Sequence, residues 1–517
     1  MRVFLMIVLI AGVMSASSQR ENKDYYTEKY RPQLHFTPEK NWMNDPNGLL
    51  YLNGEYHMYY QYNPYSIKSA HKSWGHTTSK DLINWKHLPV AIPEVINGGD
   101  TTWIFSGSAV WDKNNTSGFC KGNNCMVAIY TAHSPNRKNE SQYIAYSNDG
   151  GMTYTNYEKN PVIDLNRLNF RDPNVFWYEP GKFWLMTVVV PDMHKAQFYS
   201  SPNLKDWSLL SEFGPAGYTG AHWECPFLVQ LPVEGTDKKK WVLVISAAGG
   251  ERGVFEHYFV GDFDGKEFKN DNPASTVLPL DYGDTYYAAI PWNNLPGKEQ
   301  TYIGWMIPNP QPTYPWRGQM SIARDLSLKQ TGEGYRLVQK PAAIVTKNLD
   351  KLSNNNILEL SNLKVINEEI SVDKANKIKG NAYWMNAELS VDPNVVAGFK
   401  IAQQKDANNK TLDETVIGYD AANHQLYVDR TNSGGGKVND KRLRQTIDLK
   451  NDSKTVKLTI LLDKSSLEVF VNDGEAALTT YIYPGENADK IAAFASGGNA
   501  TIKSIKIWDL SKVNVQQ

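Results

Sequence analysis

Apolar and polar residues alternate with period two along most of this chain. The clearest runs are EYHMYYQY (55–62), KFWLMTVVV (182–190), KWVLVISAA (240–248), TVKLTILLD (455–463) and SLEVFVND (466–473). Turn residues interrupt them about every ten positions. Helical periodicity is scarce, so the pattern predicts an all-β protein. A weak repeat runs through the first two thirds. WGHTTSKDLINW ends at Trp85, YIAYSNDGGMTY at Tyr154, AQFYSSPNLKDW at Trp207 and YFVGDFDGKEF at Phe268. Each copy is a strand, a polar turn and then an aromatic, which is the signature of one antiparallel sheet per copy in a β-propeller. Residues 25–340 have room for five blades, whose loops would converge on an axial funnel. A linker is expected at 341–356 and a β-sandwich at 357–512, where period-two strands resume and Trp becomes scarce.

Length agrees, since 517 residues exceed what one core holds. The N-terminus reads as a secretory signal over 1–18: Arg2, an apolar stretch from Val3 to Val13, then small residues from Ser15 to Ser18. It is short for a membrane span, and no later run reaches about 18 apolar residues. The expectation is an exported protein with no membrane partner. In an oxidising compartment Cys120 and Cys125, which bracket KGNN, would pair, leaving Cys225 a buried free thiol. Sequons at Asn114, Asn115, Asn139, Asn409, Asn451 and Asn499 would be glycosylated only in a eukaryotic secretory pathway.

A net charge of −1, spread evenly, excludes the basic patch that a nucleic-acid partner requires. Without clustered His or Cys, neither a metal nor a cofactor is expected. The 15 Trp and 29 Tyr exceed ordinary needs and suit either aromatic-rich sheets or rings that pack on sugar C–H faces.

Three acidic motifs carry candidate chemistry. In WMNDPNG, Pro46 restricts the backbone of Asp45 and Gly48 permits a sharp turn, so the carboxylate could point inward rather than serve as a turn former. In FRDPNVFW, Asp172 precedes a proline and follows Arg171, which could equally be a surface ion pair. In HWECPFL, Glu224 sits among apolar neighbours that would disfavour its ionised form. Glycoside hydrolysis needs a nucleophile or base and an acid on either side of one bond.

WMNDPNG, RDP and EC occur in the order characteristic of the invertase, exo-inulinase and levanase family of β-fructofuranosidases, glycoside hydrolase family 32, and the chain resembles that family over nearly its whole mature length. YYQYNP, SWGHTTSKDLINW, FSGSAV and the sandwich segment SSLEVFVNDGE add to the match. The resemblance implies a five-bladed propeller with a C-terminal β-sandwich and a retaining mechanism. It implies Asp45 as nucleophile, Glu224 as acid/base and Asp172 as transition-state stabiliser. Arg171, Asn44, Gln61, Trp74, Phe105, Ser106 and Trp305 would bind substrate. One departure is Thr285, where relatives place a substrate-binding Asp. The substrate would be sucrose, inulin, levan or a fructo-oligosaccharide, and the protein a monomer or homodimer. Alternatives are a fructosyltransferase with the same carboxylates, a silent fructan-binding protein with a lectin-like sandwich, and an inverting propeller glycosidase acting on arabinans. The last would hold its carboxyls roughly 6.5–9.5 Å apart, against about 5–5.5 Å for retention.

Overall fold

A computed structural model describes residues 25–297, 299–308, 312–378, 380–434, 442–449 and 454–513. The expected signal segment and the sequon at Asn451 lie outside these. The chain is all-β, a propeller followed by a sandwich. Five antiparallel sheets come first. Their inner strands are Asn41–Leu52, Asp100–Trp111, Arg171–Tyr178, Trp223–Pro232 and Tyr286–Pro291. Each inner strand touches the next, and the fifth touches the first, so the ring is closed. Trp316–Arg317 seals it by pairing in parallel with Asn41 and Trp42. At the far end of the axis the Asn293 amide donates to the carbonyls of Ala109 and Val175, 2.9 Å each, while its backbone N–H reaches Leu49 O at 3.0 Å.

The repeated polar turn has one structural job. Asp81, Asp149, Asn203 and Asp264 each accept two backbone N–H groups within the following four residues, at 2.8–3.1 Å. A side-chain oxygen thus replaces the carbonyl that would close the turn. The aromatic that follows plugs the outer blade; Trp85 and Phe268 are buried.

Two six-stranded sheets between Ile357 and Asp509 form the sandwich around a second apolar core. The stretch between propeller and sandwich carries two short helices, Ala343–Thr346 and Leu349–Leu352, with Val345 and Leu349 buried, so it is packed against the body. Cys120 and Cys125 are disulfide-bonded, with Cα atoms 5.1 Å apart, and Cys225 is free and buried. Among the described residues no helix is long and apolar enough to cross a membrane.

The two parts share one apolar cluster, in which Trp384, Leu461, Phe470 and Trp508 of the sandwich pack with Leu34, Phe36 and Leu326. Gly283 lies against the backbone there; a Cβ would sit 1.8 Å from Thr479 O. A buried ionic chain runs through the same interface. Arg324 donates to Asp281 (3.0 Å) and Glu468 (2.6 Å), Glu468 meets His35 Nε2 (2.8 Å), and His35 Nδ1 meets Asp463 (2.8 Å). Asp463 also accepts the backbone N–H groups of Gln33 and Leu34.

Burial alone would lower the pKa of His35, but its two carboxylates outweigh that and raise it to about 9. A raised folded-state pKa contributes stability that is complete below the unfolded value near 6.5 and is lost as pH rises through about 9. Thermal unfolding should therefore show Tm falling between pH 6.5 and 9. The His35→Gln variant, less stable throughout, should show a flatter profile over that range. An equal slope in both proteins would remove His35 from this role.

Candidate active site

The same irregularity, two residues facing one on the neighbouring strand, occurs in every inner strand, and the first has a second one at Gly48–Leu49. The extra pairs are Asn44–Asp45, Phe105–Ser106, Asp172–Pro173, Cys225–Pro226 and Ala288–Ala289. These β-bulges re-aim side chains that a regular pleat would send into the blade. Asp172, Cys225 and Ala288 take positive φ, at 65°, 46° and 53°. Gly48, at φ 53°, turns the first strand again three residues after Asp45; a Cβ there would sit 2.6 Å from the Tyr59 ring.

The bulges bring the three predicted carboxylates together. Asp45 Oδ2 accepts from Ser106 Oγ (2.5 Å) and Gln61 Nε2 (3.1 Å), and Gln61 also donates to Ser106. Cys225 Sγ lies 3.6 Å from Oδ2 of both Asp45 and Asp172. Asp172 Oδ2 also accepts the Cys225 N–H at 2.9 Å. Arg171 reaches Glu224 Oε1 through Nε at 3.4 Å and Glu140 Oε1 through Nη1 at 2.8 Å. Tyr287 donates its hydroxyl to Glu224 Oε2. Asp172 is fully buried; burial holds its carboxyl well above the usual range, with Glu224 and Asp45 adding and Arg171 opposing. Beneath the carboxylates the axis narrows to a cavity of about 10 Å³, lined by Asn47, Gly107, Pro173, Asn174 and Ile290 among others. That is about the space of one water.

This chain's two parts each match a family model. "Glycosyl hydrolases family 32 N-terminal domain" covers residues 35–341 and "Glycosyl hydrolases family 32 C terminal" covers 348–509. The chain belongs to glycosyl hydrolase family 32. It is 43% identical to a levanase of Bacillus subtilis over 99% of this chain and 75% of that protein. It is 40% identical to an extracellular exo-inulinase of Aspergillus awamori, over 92% and 93% of the two chains. The crystal structure of the Aspergillus awamori exo-inulinase superposes with a TM-score of 0.84 at 37% identity, covering 94% of this chain and 99% of that one. A fructofuranosidase of Schwanniomyces occidentalis complexed with fructose gives 0.80 at 33% identity, covering 93% and 98%.

Not every residue singled out in this family 32 chain faces the pocket. Trp74 is fully buried and donates to Phe105 O at 3.0 Å, so it supports the second bulge from below. Phe105 itself is half-buried and stacks on His133, with centroids 4.3 Å apart. Trp305 packs edge-on against Trp42 at 5.9 Å, and its indole N–H has no hydrogen-bond partner among the described residues. Thr285 turns away: its hydroxyl donates to Thr479 O in the sandwich at 3.0 Å. The apolar enclosure expected around Glu224 is also absent. Its side chain is 30% exposed and flanked by Arg171 and Tyr287.

Sequence reasoning missed Lys72, Glu140 and Tyr287. Glu140 hid inside the sequon at Asn139, and Tyr287 beside the departure at Thr285. Lys72 had no motif at all, yet its buried Nζ lies 2.5 Å from Asn44 Oδ1 and 3.1 Å from Ser69 Oγ. Trp42 Nε1 donates to the same Asn44 oxygen at 2.8 Å. Two donors on that oxygen fix the amide orientation, so Asn44 Nδ2 must face Asp45 Oδ1, 3.1 Å away. Burial lowers the Lys72 pKa to about 8, against the opposing pull of Asp45. Lys72→Met should free the Asn44 amide and cut kcat/KM by about tenfold or more, the worth of one charged hydrogen bond. Steady-state kinetics on sucrose would check this; unchanged kcat/KM would show that the amide is held without the lysine.

Proposed function

We propose that this chain is a secreted, retaining β-fructofuranosidase that releases terminal fructose from fructans and sucrose through a covalent fructosyl-enzyme intermediate. The observation that carries the mechanism is the unequal bonding of the two Asp45 oxygens. Oδ2 accepts from Ser106 and Gln61, with the Cys225 thiol close by, whereas among the described residues Oδ1 accepts from Asn44 alone. Oδ1 therefore keeps a free lone pair and a fixed direction, as a nucleophile requires.

In the first half-reaction Asp45 Oδ1 bonds to the anomeric C2 of fructose. The glycosidic C–O bond breaks, and Glu224 gives its proton to the leaving oxygen. In the second, the Glu224 carboxylate takes a proton from water, the water oxygen bonds to C2, and the bond to Asp45 breaks. Both halves pass through oxocarbenium-like charge at C2. Asp172, whose Oδ2 is taken by the Cys225 N–H while its Oδ1 accepts no hydrogen bond among the described residues, is suited to bind ring hydroxyls as that charge develops. Arg171 holds Glu224 beside it. Release from a chain end is supported by two similar proteins, which are named as exo-inulinase and fructofuranosidase. The signal-like residues 1–18 and the extracellular exo-inulinases among the relatives support export. Asn114, Asn115, Asn409 and Asn499 are exposed, as glycosylation would require.

Purified protein incubated separately with sucrose, inulin and levan should release free fructose from each, with equimolar glucose from sucrose. Glucose in excess over fructose, with growing oligosaccharides, would mean transfer to sugar instead of water. No product from any of the three would leave fructan binding without turnover. Asp45→Ala should lower kcat by about 10⁴-fold or more while circular dichroism and Tm stay near wild type. Glu224→Gln should slow substrates with poor leaving groups far more than activated aryl fructosides, because acid assistance matters less when the leaving group is good. Equal losses on both substrate types would take Glu224 out of the acid role.

A further inference from the structure

We propose that Phe105, His133, Trp103, His71 and Tyr65 form a continuous aromatic platform for the second and later sugar units of a polymeric β-fructan, on the leaving-group side of the pocket. The inference rests on the fructose-releasing reading above and names the substrate class it favours. The rings follow one another without a gap. Phe105 stacks on His133 at 4.3 Å and 3°, Trp103 lies 5.7 Å from His133, His71 lies 6.1 Å from Trp103, and Tyr65 meets His71 edge-on at 5.4 Å. Exposure rises outward. Phe105 and Trp103 are half-buried, the His71 side chain is 50% exposed and Tyr65 is 64% exposed.

The inner end of this stripe abuts both halves of the chemistry. Phe105 immediately precedes Ser106, which donates to Asp45. His133 Nδ1 meets Glu140 Oε1 at 3.1 Å, and that same oxygen accepts from Arg171, the partner of Glu224. A sugar unit whose oxygen has just been protonated by Glu224 therefore emerges onto these rings. The outer part is held in place before any ligand arrives. Asn63 accepts the Tyr65 N–H at 2.9 Å and donates to Lys68 O at 2.9 Å. Trp42 N–H reaches Ser66 O at 3.0 Å, Ile104 N–H reaches Lys72 O at 2.9 Å, and His71 Nδ1 meets both oxygens of buried Glu94 at 3.2 Å. A partly exposed aromatic stripe carried by two strands and a pre-organised loop suits a partner with apolar faces and hydroxyl edges, which furanose rings supply at little ordering cost. Continuity with the carboxylate pocket selects the substrate chain as that partner.

The test compares wild type, Trp103→Ala, Tyr65→Ala and Trp103→Phe on sucrose, the trisaccharide 1-kestose and long-chain inulin. The readout is the ratio of kcat/KM for inulin to that for sucrose. Trp103→Ala should lower this ratio about fivefold to tenfold and Tyr65→Ala about twofold to threefold, chiefly through KM, with kestose between the two substrates. Trp103→Phe, which keeps a ring, should recover most of the loss. An unchanged ratio in both alanine variants would overturn the platform while leaving hydrolysis intact. Tyr65 is exposed enough that its variant will fold even if Trp103→Ala does not. A wild type that releases fructose from none of the substrates would overturn the hydrolase reading instead. Retardation of wild type against Tyr65→Ala in inulin-containing native gels would then decide the platform: weaker retardation of the variant supports it, and equal retardation overturns it.

Discussion

Everything at the pocket depends on how the bulged inner strands satisfy their freed backbone N–H groups. A bulge removes ladder partners, and a buried N–H left without one costs as much as a lost hydrogen bond or more. In this propeller the preceding blade supplies the acceptor. Gly107 N–H finds Asn47 Oδ1 at 3.0 Å, Asp172 N–H finds Thr131 Oγ1 at 2.9 Å, and Cys225 N–H finds Asp172 Oδ2 at 2.9 Å. Ala288 and Ala289 donate to Ser246 Oγ (3.1 Å) and Glu256 Oε1 (2.9 Å). Four of the five bulges are therefore fixed by the preceding blade, and the carboxylates are placed by neighbouring blades rather than by their own strands alone. Asp172 belongs to both systems, since it is one of the clustered carboxylates and its Oδ2 also caps the fourth bulge.

This arrangement explains why the site tolerates so much buried acid. Asp45, Asp172, Glu224 and Glu140 converge, opposed chiefly by Arg171 and Lys72. Burial and the neighbouring carboxylates hold the Asp172 carboxyl up against the pull of Arg171, whereas the Glu224 side chain is partly exposed. Lys72 contributes by geometry as much as by charge, because together with Trp42 it fixes the amide that donates to Asp45 Oδ1. The carboxyls thus differ in environment although they are chemically alike, and the proposed mechanism uses that difference to give them different steps.

The sandwich is bound to the propeller by an interface that combines a shared apolar cluster with the chain Asp281–Arg324–Glu468–His35–Asp463. Buried charges of this kind cost desolvation and add little net stability, but breaking one partner is severe. The interface therefore fixes orientation strongly. It also takes up the position of Thr285, where a turn of the fifth blade faces Thr479 rather than substrate. A residue next to a pocket motif in sequence is thus diverted to domain packing.

The sequence by itself determined the fold class and the three carboxylates. Period-two alternation dictates strands, the Asp and Asn turns recur because each closes the same blade, and Pro46, Gly48 and Pro173 mark the chain's departures from a regular ladder. Those signals are local, so they survive in one dimension. Which side chains meet was decided only in three dimensions. Trp74 and Phe105 looked alike as pocket aromatics, yet Trp74 is buried beneath the other. Glu140, Tyr287 and Lys72 carried no local mark, because their roles arise from blades that are far apart in sequence and adjacent around the ring. Alternation dictates which face a residue takes on its own strand; a bulge and the neighbouring blade's donors decide where that face points.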